Sequence, residues 1–374
     1  MKLTTIPQQD GFWMPAEFES KGQSLMMWPQ RPDNWRNGGK PAQKSFVQLA
    51  TLIANYQPIT VFVNENQYKN ARAMLPTQIR VLEMSNNDVF IKDTGPIELV
   101  NADGVVRCMD FGFNAWGGLL DGLYFPWDKD QEVTGKLADL FGWDRYQSDF
   151  ILEGCSVVTD GEGTLITTEE VVLSEGRNKG ITKAQAEEVF QNYLGAQKVI
   201  WLPEGFFLDE AGGDVDNMVN FIRPGEIVLS WTDNPGDPQH RISQRAYDIL
   251  SQTKDARGRN LIIHKMDLPQ RPVKLTALEA EGVDPINGML PRTEGQRLTA
   301  TYVNYITLDQ AIIFPEFNDP NDQKARQELA NYYPDREIIG FPATEILTGG
   351  ADYIQSCLTC RDINGGWLMN FLTL

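Results

Sequence analysis

Residues 217–231 read NMVNFIRPGEIVLSW, two apolar runs on either side of Arg223-Pro224-Gly225. Proline presets φ for a turn and glycine accepts the left-handed conformation, so the chain is expected to reverse there. The flanking β-rich runs, Asn217–Ile222 and Glu226–Trp231, predict consecutive strands with no helix between them. A helical pattern at Ser243–Thr253 and a third β-rich run at Asn260–Met266 follow, giving the order strand, strand, helix, strand. Working outward, Gly95–Val100 and Val105–Phe111 precede a helical Gln131–Phe141 in the same way. Further strands are expected at Pro58–Val63, Ile79–Glu83, Gly163–Thr168, Lys198–Trp201, Thr299–Tyr305 and Ala311–Phe314, and helices at Lys40–Tyr56, Glu65–Leu75, Lys183–Leu194 and Asp322–Tyr332. Strands outnumber helices and often adjoin, which suits repeated small ββαβ units better than a strictly alternating doubly wound sheet.

The 374 residues carry 41% hydrophobic and 22% charged side chains, the composition of an ordinary folded protein. The 21 prolines and 32 glycines are dispersed and no linker stands out, so residues 1–374 read as a single domain. A formal net charge of −18 is wrong for neutralising phosphates and argues against a nucleic-acid partner. It suits the attraction of cationic small molecules. The opening MKLTTIPQQDGFWMPAEF lacks the apolar core of a secretory signal and no run is long enough to span a bilayer, so a cytoplasmic location with no membrane partner is expected. Cys108, Cys155, Cys357 and Cys360 have no second close pair to match Cys357-Leu-Thr-Cys360, and there are only two histidines, His240 and His264. A zinc site is therefore not expected, and no metal is assigned.

Candidate chemistry concentrates in Gly- and Asp-rich connections, at Asp110–Asp130, Asp209–Asn217 and Leu347–Gly366. Asp88 and Asp93 lie in Asn86-Asn-Asp-Val-Phe-Ile-Lys-Asp-Thr-Gly-Pro96, with Asp93 expected at a strand end. Asn114 and Trp116 lie in Asp110-Phe-Gly-Phe-Asn-Ala-Trp-Gly-Gly118, where an indole could stack on a planar cation or plug the core. Glu153-Gly154-Cys155 follows, and Asp209-Glu-Ala-Gly-Gly-Asp-Val-Asp-Asn217 places Asp214 and Asp216 on one face if extended. Paired carboxylates of this kind suit a guanidinium or ammonium ion.

Taken together and in order, Met14–Glu19, Met27-Trp-Pro29, Asp33–Arg36, Lys92–Pro96, Phe113–Gly118, Glu153-Gly154, Asp160–Thr164, Val215–Asn217, Phe221–Gly225 and Tyr302–Asn304 resemble the agmatine deiminase family of guanidine-modifying enzymes over nearly the whole chain. The resemblance implies a pentein-type fold, a pseudo-fivefold α/β propeller of ββαβ-like units with its site on the axis. It implies hydrolysis of a guanidinium by a cysteine thiolate inside an acidic cage, with no cofactor and a small guanidino compound of arginine or polyamine metabolism as substrate. A homodimer is compatible with it.

Carried over position by position, Asp93, Trp116 and Glu153 match substrate-binding residues of the family, and Asp88 and Asn114 are grouped with them. Cys357, in Cys357-Leu-Thr359, matches the nucleophile, although it arrives two residues later than the family's motif. Where the family has Asp-Gly-His-Val-Asp-Asn this chain has Gly212-Gly-Asp214-Val-Asp216-Asn217, so Asp214 replaces a catalytic histidine. Cys357, Asp214 and Asp216 are then the expected catalytic set, and the exchange predicts a rearranged site in place of plain agmatine deimination. Amidino transfer, tailoring of a specialised metabolite, or ligand binding without turnover are the alternatives.

Overall fold

The computed structural model describes residues 1–19, 22–286, 291–350 and 353–361, so the expected loop Leu347–Gly366 lies partly outside the described residues. Five small sheets make up the fold. The first holds β1 (Gln23–Met27), β2 (Ile59–Val63) and β3 (Arg80–Glu83), and the second β4 (Ile97–Val100), β5 (Val106–Gly112) and β6 (Arg145–Ile151). The third holds β7 (Val157–Thr159), β8 (Thr164–Thr168) and β9 (Lys198–Leu202), and the fourth β10 (Val219–Arg223), β11 (Glu226–Trp231) and β12 (Ile262–Asp267). The fifth holds β13 (Ile306–Thr307), β14 (Ala311–Glu316) and β15 (Glu337–Pro342), while β16 (Cys357–Cys360) returns to the first sheet.

Every sheet repeats one pattern: an antiparallel pair, a helix, then a parallel strand. The crossover helices are α1 (Lys40–Ile53), α2 (Val133–Phe141), α3 (Lys183–Leu194), α4 (Pro238–Gln252) and α5 (Asn321–Tyr332). The first unit is assembled from both ends of the chain, because β16 pairs antiparallel with β1 in the register Gln23 to Cys360 through Met26 to Cys357. The expected pentein-type propeller of ββαβ units is the fold observed.

Local chemistry explains the elements. Gly225 turns the quoted hairpin at φ +77°, and Val219 to Leu229 pairs across it. Thr182 and Gln185 form a reciprocal capping box at the start of α3, and Asp237 with Pro238 opens α4. Ile242, Ala246 and Leu250 of α4 repeat every fourth residue and are buried. The expected strand Thr299–Tyr305 is corrected: the strand is only Ile306–Thr307, beyond the polar Thr301 and Asn304. Strands β1, β6, β7, β15 and β16 were not anticipated, being short or, in Arg145–Ile151, polar at alternate and adjacent positions.

The repeat matters for what precedes the first strand of each unit. Short helical turns at Ile91–Thr94, Gly154–Ser156, Val215–Asn217 and Ile354–Ser356 lead into β4, β7, β10 and β16, and they pack against one another. Asn304, ahead of β13, joins them by accepting from the Ile354 N–H at 2.7 Å and donating to Asn217 Oδ1 at 3.2 Å. Gly154 is required for this close approach, since a Cβ there would fall 2.1 Å from the Lys92 carbonyl oxygen. Asp93 therefore sits on a helical turn that leads into a strand, not at a strand end as expected.

Helix α1 is anchored by Phe46, fully buried and edge-on to Trp35 with centroids 5.8 Å apart. Phe46→Ala is expected to cost about 3–5 kcal/mol in chemical denaturation, whereas Leu278→Ala, at a side chain 71% exposed, should stay within about 0.5 kcal/mol. Equal effects from the two would contradict this placement of the core.

Candidate functional site

The turns at the centre of the propeller carry the polar residues of the site. Asp93 comes from the first turn, Glu153 and Cys155 from the second, Asp214 and Asp216 from the third, and Gln355 from the last. All are buried. Ser156 Oγ donates to Glu153 Oε2 at 2.9 Å and to Asp214 Oδ1 at 3.2 Å, so these two carboxylates share one hydroxyl. Gln355 Nε2 donates to Asp214 Oδ2 at 3.0 Å. The Cys155 N–H donates to Asp93 Oδ1 at 3.2 Å, and its thiol feels the charges of Asp216 and Asp93.

Two internal cations partly compensate the carboxylates. Arg177 Nε lies 2.9 Å and 3.1 Å from the two oxygens of Glu153, and its far nitrogen donates to the Ala211 carbonyl. Lys92 Nζ stands 3.7 Å from Asp216 and 3.9 Å from Glu17. Asp209 shapes the third loop by accepting from the N–H groups of Ala211, Gly213 and Asp214 at 2.7–3.1 Å.

The compensation is incomplete. Asp93 Oδ2 and both oxygens of Asp216 are buried without a hydrogen-bond partner. Such a group costs free energy unless it is protonated or meets a cation. Burial pushes the carboxyls of Asp93, Asp214 and Asp216 up, and neighbouring negative charge adds to the shift: Glu153 on Asp93, and Asp93 and Asp209 on Asp214. Lys92 opposes the shift at Asp216. Burial likewise raises Asp209 to about 7. The Cys155 thiol is pushed well up by burial and then by Asp216 and Asp93. For Lys92 burial acts downward, but the surrounding negative charges outweigh it and hold the ammonium form.

One cavity opens beside this cluster and another beside Trp116. One is lined by Glu17, Lys92, Asp216, Asn220 and Thr359 among others. A second is lined by Asn34, Phe90, Trp116, Tyr124, Glu210 and Arg292. Trp116 reaches its wall from a strained turn in which Ala115 and Trp116 have φ of +55° and +65°. Its ring stands edge-on to Phe90 at 4.8 Å and to Phe113 at 5.2 Å, and its indole N–H is buried and unpartnered.

The placement of the anticipated residues is mixed. Asp93, Glu153, Asp214 and Asp216 converge, and Trp116 lines a cavity. Asp214 and Asp216 do so from a tight helical turn, not from an extended segment. Asp88 is a strut: it accepts from Asn34 Nδ2 at 2.8 Å and Trp35 Nε1 at 2.7 Å, and so fixes the Asn34 that lines the cavity. Asn114 is also a brace, donating to the Gly176 carbonyl at 2.8 Å beside Arg177. Neither is placed on the wall of the cavity that Trp116 lines.

Cys357 stands on a strand. It opens β16 opposite Met26, bonds towards Ser24, and feels the charges of Glu17 and Lys92, not the carboxylates around Cys155. Burial holds its thiol up at about 12. Gln355, two residues before Cys357, is at the cluster, and Cys357 opens the strand. Cys155, Gln355, Arg177 and Lys92 were missed as site residues. A cysteine between a glycine and a serine reads as packing, and its place on the inner turn is set by tertiary structure. The histidines lie elsewhere: His240 Nδ1 is 2.7 Å from the Thr232 carbonyl and His264 Nε2 is 2.7 Å from Glu226.

Residues 13–360 match the family of Porphyromonas-type peptidyl-arginine deiminases. "Putative agmatine deiminase 2" of Listeria monocytogenes serovar 1/2a is 56% identical over 359 residues, covering 96% of each chain. An agmatine deiminase of Pseudomonas aeruginosa is 46% identical, covering 95% of this chain and 96% of its own. The solved structure of agmatine deiminase from Enterococcus faecalis superimposes with a TM-score of 0.93 at 40% identity, covering 96% of this chain and 99% of that one. Identity and superposition on this scale extend across all five units, and the chain belongs to the agmatine deiminase family.

Proposed function

We propose that this chain is a hydrolase that deiminates agmatine, converting the guanidinium and one water into a ureido group and ammonium. The observation that carries this reading is the set of buried, unpartnered carboxyl oxygens on Asp93 and Asp216 beside Glu153 and Asp214. A guanidinium is planar, permanently charged and bears N–H donors along its edges, which is what such carboxyls lack. The relatives named for agmatine deimination support the same substrate and favour plain deimination over amidino transfer or binding alone.

In this reading Asp93 and Glu153 hold the head group, and Trp116 forms part of the wall along which the rest of the substrate lies. Asp214 stands where the family's histidine is expected and moves protons as a carboxyl, which burial and its negative neighbours push well above the usual carboxylate range. Asp216 is the second proton carrier, next to a thiol. General acid and base catalysis by such groups is worth about 10²–10⁴-fold.

Purified protein should release ammonia and a ureido product from agmatine, and Asp93→Asn should lower kcat/KM by about 10²-fold or more, the 2–5 kcal/mol of a broken buried charge contact. Tight agmatine binding with no product would sink the hydrolytic reading. The raised carboxyls also set a pH dependence. A carboxyl whose folded pKa lies above its unfolded value stabilises the fold below the unfolded pKa, and that contribution is lost as pH rises through the folded pKa. Calorimetric scans should therefore show the empty protein losing stability as pH rises through about 7, where Asp209 titrates, with agmatine restoring more at higher pH. Binding should release protons at neutral pH. Proton uptake, measured in buffers of different ionisation enthalpy, would contradict this picture.

A further inference from the structure

The described cysteines occupy very different surroundings. Cys108 lies beside Asp110 and Arg145, away from the inner turns. Cys357 and Cys360 are on β16, with Cys357 facing Ser24. Cys155 alone among them is carried by an inner turn, two residues from Glu153, with its backbone N–H on Asp93 and its thiol beside Asp93 and Asp216.

We propose that Cys155, not Cys357, is the nucleophile that captures the guanidinium carbon, an assignment that rests on the deiminase reading above. The independent mark of a ligand on this turn is the set of buried oxygens at Asp93 and Asp216 that have no hydrogen-bond partner, with Lys92 at 3.7 Å from Asp216 supplying charge but no hydrogen bond. Carboxylates bind the N–H edges of a guanidinium, so its carbon is left to a nucleophile from one face, and Cys155 is the thiol among those carboxylates.

The steps balance. The Cys155 S–H proton passes to Asp216, the sulfur bonds to the guanidinium carbon, and a neutral tetrahedral adduct forms. The Asp216 carboxyl returns a proton to one nitrogen, the C–N bond breaks, and ammonia leaves a cationic thiouronium. Water then adds to that carbon and gives one proton to Asp216. The C–S bond breaks, the remaining hydroxyl proton returns to sulfur, and the ureido product departs. Asp216 finally passes its proton to ammonia. The net reaction is guanidinium plus water to urea-type product plus ammonium. Burial, then Asp216 and Asp93, hold this thiol protonated, and a bound cation opposes the carboxylates' part of that effect, so attack is coupled to substrate binding.

The test uses the full chain and 2-chloroacetamidine, a small amidinium whose C–Cl bond is replaced by a C–S bond at a reactive thiol. Peptide mass spectrometry should place the label on Cys155, with agmatine slowing it. Labelling of Cys357, Cys360 or Cys108 ahead of Cys155, or no labelling, would overturn the assignment. Cys155→Ala should lower turnover by at least about 10³-fold while calorimetry shows agmatine affinity kept within about tenfold. Turnover in that variant within about tenfold of the parent would also overturn it. If the parent releases no ammonia from agmatine, the deiminase reading falls, and the alkylation map still decides for or against Cys155 as the reactive thiol.

Discussion

The molecule is organised around a repulsion. Asp93, Glu153, Asp214 and Asp216 are held together out of water, with Arg177 and Lys92 as their internal counter-charges. In an interior of low dielectric, neighbouring carboxylates cannot all ionise unless something positive joins them. The rest of the structure can be read as what it takes to keep such a group assembled. Ser156 spans two of the carboxylates, Asp209 binds the backbone of the third turn, and Gln355 closes the ring from the last turn. In the proposed function, a planar cation relieves that repulsion.

The ββαβ repeat makes the assembly geometrically inevitable. Each unit begins at the same place, so residues far apart in the chain, such as Asp93 and Gln355, arrive at equivalent positions on neighbouring turns. One side of each sheet packs on its helix, and apolar positions such as Ile242, Ala246 and Leu250 secure that layer. The charged centre therefore sits within a rigid frame, which is the condition for electrostatic preorganisation.

Much of this was legible beforehand. The ββαβ order followed from the Pro-Gly turn at 224–225 and from apolar periodicity, both local properties. The acidic residues of the site were legible in combination: Asp93 and Glu153 through the family resemblance, and Asp214 and Asp216 also as members of a run of four acidic residues. What was not legible depended on tertiary register. Nothing near Cys357 in sequence says that Met26 will pair with it and draw it into a strand, and nothing near Cys155 says that its turn faces four carboxylates. Asp88 and Asn114 misled for a related reason: a polar residue in a loop reads as a ligand contact, whereas both spend their hydrogen bonds holding neighbouring backbone and side chains. Strands such as Val157–Thr159 and Cys357–Cys360 are too short for periodicity to register, and they form because a partner strand is waiting.

The pairing of β16 with β1 has a consequence for the order in which the protein is built. Four units can condense from contiguous stretches as they are synthesised, each through short loop closures. The first must wait, its β1 edge uncovered, until residues from the opposite end of the chain return to it. Gln355 arrives on that same segment, so the carboxylates meet their last neighbour only when the ring is clasped. A nascent chain thus carries no finished charged centre until the β16 segment returns to β1.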